Sequence, residues 1–250
     1  MAIRRFEGEA EERAARLAAA TGLTMLEARQ RTRGPGPRVV STYGDPSEAA
    51  LAEAALEVAG FAPLLIRDAD LEKDAARVVA RSVRLDATRL EVRTRDGRVA
   101  EAPLAAITLL LRGTAFSSGT ETKVTKEKKL SVGKAMLTGG LLFTKTVEKK
   151  TTREVHEREA FLHVYTAGQA PIALRESALQ HEAGGARPLE PSRAANFARL
   201  AAELRAAAPA APWDERLLTR AGQLHLLGGV LDPEQFLDVA LTVLVASYRA

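Results

Sequence analysis

The chain contains no cysteine. That excludes disulfides, thiolate metal sites and cysteine nucleophiles, and it fits a reducing cytosol. Aromatic residues are scarce, at 4% of the chain. Long apolar runs are missing too. The longest, Phe236–Tyr248, is interrupted by Asp238 and is too short to span a bilayer. The first twenty residues hold no apolar core of the length a signal peptide needs. A soluble, cytoplasmic protein is expected.

Catalytic signatures are also lacking. Gly133-Lys134 is followed by Ala135, with no glycine at P-loop spacing before it. GxSxG, HExxH and EF-hand patterns do not occur. The four histidines are scattered at 156, 163, 181 and 225. His156 and His163 would fall on opposite faces of a continuous strand, a poor metal pair. His163 in FLHVY and His225 in QLHLL read as half-buried structural residues. Glu154, Glu157 and Glu159 read as solvated strand charges. No metal site, cofactor or catalytic residue is expected, and the reading is of a protein that is not an enzyme.

Apolar and charged fractions are those of a globular protein. At 250 residues the chain can bury a substantial core. The excess of Ala and Arg is the mark of GC-rich coding and not of function. Against that background Ser117–Glu159 stands apart, because lysine is concentrated there. Its ten Lys and Arg against six Glu account for the whole net charge of +4.

Local signals divide the chain in three. Residues 1–72 read as a small α/β domain in the order helix, helix, strand, helix, strand. Thr24 and Glu27 form a capping box ahead of a short helix. Gly34-Pro35-Gly36-Pro37 is a rigid turn. Arg38–Tyr43 and Ala62–Arg67 read as strands, joined by a helix that starts at Asp45-Pro46 and ends at Gly60. Strand, helix, strand implies a parallel pair with a right-handed crossover.

Residues 75–209 are strand-rich. Arg77–Leu85, Arg89–Thr94, Val99–Pro103, Ile107–Leu111, Ala160–Tyr165 and Pro171–Leu174 read as strands, with Asp96-Gly97 as a hairpin turn. A helix then opens at Pro191-Ser192 and carries Asn196, Phe197, Leu200 and Leu204 on one face. Residues 212–250 read as helical. Trp213–Ala221 forms one helix, and a last helix starts at Asp232-Pro233 with Leu237, Leu241, Leu244 and Val245 on its apolar face.

The phrases RLEVRTRDGRV, PLAAITLLL, FLHVYTAGQAPIAL and NFARLAAELRAAAP, several strands and then a closing helix, resemble a bacterial pleckstrin-homology-like barrel over residues 76–207. The resemblance implies binding of lipid headgroups or peptides, or a role in assembly only. The fold class expected is therefore α+β: a small α/β domain, a PH-like antiparallel barrel with a long hairpin insertion at 117–159 and a closing helix, and a helical C-terminal segment.

The arms of that insertion, TKVTKEKK and TKTVEKKT, have strand chemistry and resemble one another. Pairing Val124 with Val147 sets Lys123 opposite Glu148 and Glu121 opposite Lys150. Arms of about ten residues reach roughly 33 Å at ~3.3 Å per residue, so the ribbon is expected to project. Its tip carries Ala135, Met136, Leu137, Leu141, Leu142 and Phe143, where Gly139-Gly140 permits reversal. Covering this tip is worth on the order of 5 kcal/mol at ~25 cal/mol per Å².

The candidate binding residues are Lys123, Lys126, Lys128, Lys129, Lys134, Met136, Leu137, Leu141, Leu142, Phe143, Lys145, Lys149 and Lys150. A protein partner or self-association is the first expectation, with an anionic membrane surface as the alternative. A hairpin folded back on its own body is a further reading. Nucleic acid is disfavoured, because Phe143 is the tip's only aromatic for stacking.

Overall fold

The computed structural model describes residues 1–130, 144–180 and 189–249, with side chains outside 118–156. It is α+β, and its contacts divide the chain into two compact units. One comprises Met1–Ala115 with Glu159–Ala250, and the other Phe116–Arg158.

In the larger unit, β1 (Ala2–Ile3) is the centre of a three-stranded sheet. β2 (Arg38–Val39) and β3 (Pro63–Leu64) flank it, and each is antiparallel to it. The expected direct pairing of β2 with β3 is therefore wrong. The N-terminal strand separates them, and burial explains why. Met1 and Ile3 enter one core with Val40, while Ala2 enters another with Val39. Successive strand residues point to opposite faces, so a strand filled on both sides belongs between its neighbours.

Three helices cover this sheet: α1 (Ala10–Thr21), α2 (Met25–Arg31) and α3 (Pro46–Val58). The capping box at α2 is present, with Thr24 N donating to Glu27 Oε2 at 2.9 Å and Glu27 N to Thr24 Oγ1 at 3.3 Å. Asp45 caps α3 ahead of Pro46, accepting from Ser47 N at 2.7 Å.

The middle of the chain supplies β4 (Val78–Val79), β5 (Ser82–Leu85), β6 (Arg89–Arg93) and β7 (Val99–Pro103). It continues with β8 (Ile107–Leu130), β9 (Thr144–Thr166), β10 (Ile172–Arg175) and α4 (Arg193–Ala207). The expected strand Arg77–Leu85 is two strands in different sheets. β4 pairs in parallel with β10, and β5 begins the antiparallel meander β5-β6-β7. Ala80, fully buried, marks the corner between them. The hairpin joining β6 and β7 turns through Asp96-Gly97, as expected.

β11 (Trp213–Leu217), α5 (Arg220–Leu226) and α6 (Leu237–Tyr248) complete the unit. Trp213–Ala221 is thus not a helix. Its first five residues form an edge strand parallel to β8, with Trp213 beside Leu110 and Leu217 beside Gly113. The β8 edge offers a ladder and an apolar seat that local propensity does not register. The last helix starts at Leu237, after a turn in which Asp232 accepts from Glu234 N at 3.0 Å.

The large sheet has the order β11-β8-β9-β10-β4 and is filled on both faces. On one face Leu110, Leu162, Val164 and Leu174 meet Leu90 and Val92 of the meander and Phe197 and Leu204 of α4. Ser192 caps α4, and its buried Asn196 donates to Glu190 O and Ser192 O. On the other face Leu109, Leu111, Phe161 and Tyr165 meet Leu226 of α5 and Leu241 and Leu244 of α6. No closed barrel occurs among the described strands. The smaller unit holds the remaining parts of β8 and β9, which are hydrogen-bonded neighbours. Within it Arg158 lies over the Phe116 ring at 5.6 Å.

Gly113 marks a close approach of side chains in the second core. A Cβ built there would stand 2.8 Å from Leu217 Cβ and closer still to the Phe161 ring. Gly113→Ala is expected to cost about 1–3 kcal/mol through overpacking. A urea melt checks this, and an unchanged midpoint would show that Phe161 has room to retreat.

Candidate functional site

The lysine-rich segment lies largely outside the described side chains. Lys123, Lys126, Lys128 and Lys129 belong to β8, and Lys145, Lys149 and Lys150 to β9, by backbone only. Lys134, Met136, Leu137, Leu141, Leu142 and Phe143 lie outside the described residues, as does the proposed turn at Gly139-Gly140. Val124 and Val147, whose pairing was expected, are likewise described by backbone only, in β8 and β9. The side chains of His156, Glu154 and His181 also fall outside the described ones.

Within the larger unit, the described residues form one polar centre that the sequence does not announce. Phe161, His163 and Tyr165 alternate along β9 and share the face turned to α6. The His163 ring stacks on Phe161 at 4.6 Å and meets Tyr165 edge-on at 6.4 Å. His163 is only 3% exposed, and its Nδ1 is buried without a hydrogen-bond partner. It is therefore fully buried and not half-buried as expected, because the C-terminal segment covers the second face of β9.

Arg77 lies beside this row, just ahead of β4, with its side chain 2% exposed. Its Nη1 donates to Asp74 Oδ1 at 3.2 Å and stands 3.8 Å from Asp238 Oδ1 at the start of α6. Its Nη2 donates to Glu72 O, and its Nε is buried without a partner. Arg175, at the end of β10, also binds Asp74 Oδ1. Glu159 is half-buried and accepts from Ser177 Oγ, which corrects its reading as a solvated charge. Glu157 is exposed.

Asp74, Arg77, Glu159, His163, Arg175 and Asp238 line a cavity of ≈ 200 Å³ with Phe161, Leu237 and Leu241. Its electrostatics follow from burial and two arginines. Burial, then the charges of Arg77 and Arg175, holds the His163 imidazole well below its ordinary pKa. Burial opposes ionisation of Asp74, but bonds to Arg175 and Arg77 outweigh it and keep that carboxyl below its usual range. At Asp238 burial prevails over Arg77, and the carboxyl is raised.

A second polar contact joins the two ends of the chain. Buried Arg38 donates to Gln30 O at 2.6 Å and stands 2.8 Å from His225 Nε2. Among the described residues no group of three His, Asp or Glu is placed to hold a metal ion. None of the described helices is long and apolar enough to cross a membrane. No family model, curated protein or solved structure matches the chain.

Sequence reasoning missed Asp74, Arg77, Arg175 and Asp238. The one local signal was His163, a titratable residue inside an apolar strand run.

A buried neutral histidine has a pH consequence. Its folded pKa lies below the unfolded value of about 6.5. Between those two values the unfolded chain binds more protons, so stability is present above about pH 6.5 and is lost as pH falls. His163→Gln should remove up to about 1.4 kcal/mol per pH unit of that slope between roughly pH 6.5 and 5. His225, lowered chiefly by burial and then by Arg38, contributes with the same sign, so His225→Gln is the comparison. Chemical denaturation across this range checks it. Equal slopes in wild type and His163→Gln would mean that water reaches the ring.

Proposed function

We propose that the chain is a non-enzymatic interaction or assembly module that docks through its lysine-rich hairpin. The reading rests on one observation. β8 and β9 run for 24 and 23 residues, where strands of roughly 3–10 residues are usual, and the sequence between them is apolar within a lysine frame. Such a sequence calls for a cover, and a protein surface, including that of a second copy, supplies one.

The same reading treats residues 75–209 as a pleckstrin-homology-like module, with 1–72 and 212–250 as flanking parts. Two sheets around one core, covered by α4, support it.

Light-scattering mass of the full chain is the test. The full chain should exceed its 26.8 kDa monomer mass, and Leu141→Asp with Leu142→Asp should return it to a folded monomer. An oligomer unchanged in that variant would overturn self-docking through the tip. Flotation with vesicles of anionic lipid separates the membrane alternative, whose binding weakens as salt rises.

A further inference from the structure

The cavity under α6 is independent of the hairpin, and its chemistry selects a ligand class. Asp74 Oδ1 accepts from both Arg77 Nη1 and Arg175 Nη2. The two guanidiniums are therefore already placed to hold a carboxylate. The carboxylate they hold comes from a short 3-10 turn, Asp74–Ala76, and its side chain is half exposed. Beyond it, Arg77 Nε and His163 Nδ1 are buried and unpartnered. Native proteins rarely leave such groups unmatched, at about 1–3 kcal/mol each.

The lining also carries the other sign, with Asp238 Oδ1 3.8 Å from Arg77 Nη1. Asp238 and Glu159 also line the cavity. With Asp74, three carboxylates face two guanidiniums, an excess of one negative charge. That disfavours phosphate and other dianions and calls for a cationic group on the ligand. Phe161, Leu237 and Leu241 add an apolar wall. A volume of ≈ 200 Å³ is below the ~300–1,000 Å³ of ordinary ligand pockets, so the ligand is small.

We propose that this cavity binds a small zwitterion of the free α-amino-acid class. Its carboxylate meets Arg175 and Arg77, its ammonium meets Asp238 and Glu159, and its side chain lies on Phe161 and Leu241. A polar cavity of this size also suits ordered water alone, and the experiment separates the two.

The full chain, labelled with ¹⁵N-histidine, is titrated with each common L-amino acid while the His163 imidazole resonance is followed. His163→Gln assigns that resonance. At least one amino acid should shift it saturably and raise the melting temperature. The analogues lacking only its amine or only its carboxylate should bind at least about tenfold more weakly, the loss of one charged anchor. Arg175→Gln should weaken binding by a similar factor. Should that variant unfold, Asp238→Asn at the half-exposed start of α6 carries the same test. No shift with any amino acid at about 10 mM, a concentration that would reveal even millimolar affinity, overturns the proposal and leaves a water-filled cavity. Equal binding of the analogue without the amine overturns the zwitterion assignment.

Discussion

Two neighbouring strands, β8 and β9, are covered on both faces over Leu109–Leu111 and Phe161–Tyr165. Strands in that position cannot keep a solvated side, so the usual alternation gives way to near-continuous apolar runs. The runs ITLLL and FLHVY meet this requirement. Each large apolar side chain buried there contributes roughly 1.5–3 kcal/mol. The meander and α4 are needed on one face, and β1, α5 and α6 on the other. The N-terminal strand and the C-terminal helix are thus held by the same sheet from opposite ends of the sequence, through Ala2, Val39, Leu241 and Leu244.

Double coverage also encloses polar groups. Arg77 has to place its guanidinium inside the rim of the second core, where Asp74, Glu72 O and Asp238 meet its Nη atoms and Nε is left without a partner. The same segment grips α6 at further points. Glu72 N donates to Thr242 Oγ1 at 2.9 Å, and Arg249 lies 3.3 Å from Glu72. A buried ion cluster is weak evidence for stability, since desolvation offsets much of the attraction. Its value lies in geometry. It sets how α6 seats on β9, and so sets the shape of the cavity beside His163.

What the sequence disclosed follows the range of the forces involved. Thr24 with Glu27, Asp45 with Pro46, Ser192, and Asp96-Gly97 act within a few residues, and the elements they mark are present. β1 and β11 are strands only because pairing partners awaited them, β2 and β3 on either side of β1 and the β8 edge for β11. Ala2–Ile3 and Trp213–Leu217 carry little strand signal of their own, and tertiary pairing decides. The same holds for the cavity. Arg77, His163, Arg175 and Asp238 are far apart in the chain, and no spacing rule links them. His163 alone was singled out, and its burial was underestimated because α6 was not known to cover that face.

The two candidate sites differ in how charge acts. The segment 117–159 carries the whole net charge of the chain, and attraction through lysines in water is screened beyond a Debye length of ~8 Å at physiological salt. Its reach and its salt sensitivity go together. Arg77 and His163 sit where water is largely excluded, so their interactions are little screened and depend on placement at atomic distances. A docking arm of the kind proposed for that segment would tolerate loss of single charges, because many similar ones remain in its sequence. The cavity has less redundancy, since among the described residues Asp74 joins Arg77 to Arg175 and Asp238 joins Arg77 to α6. Composition can encode the first kind of site, whereas the second exists only once β4, β9, β10 and α6 are in register.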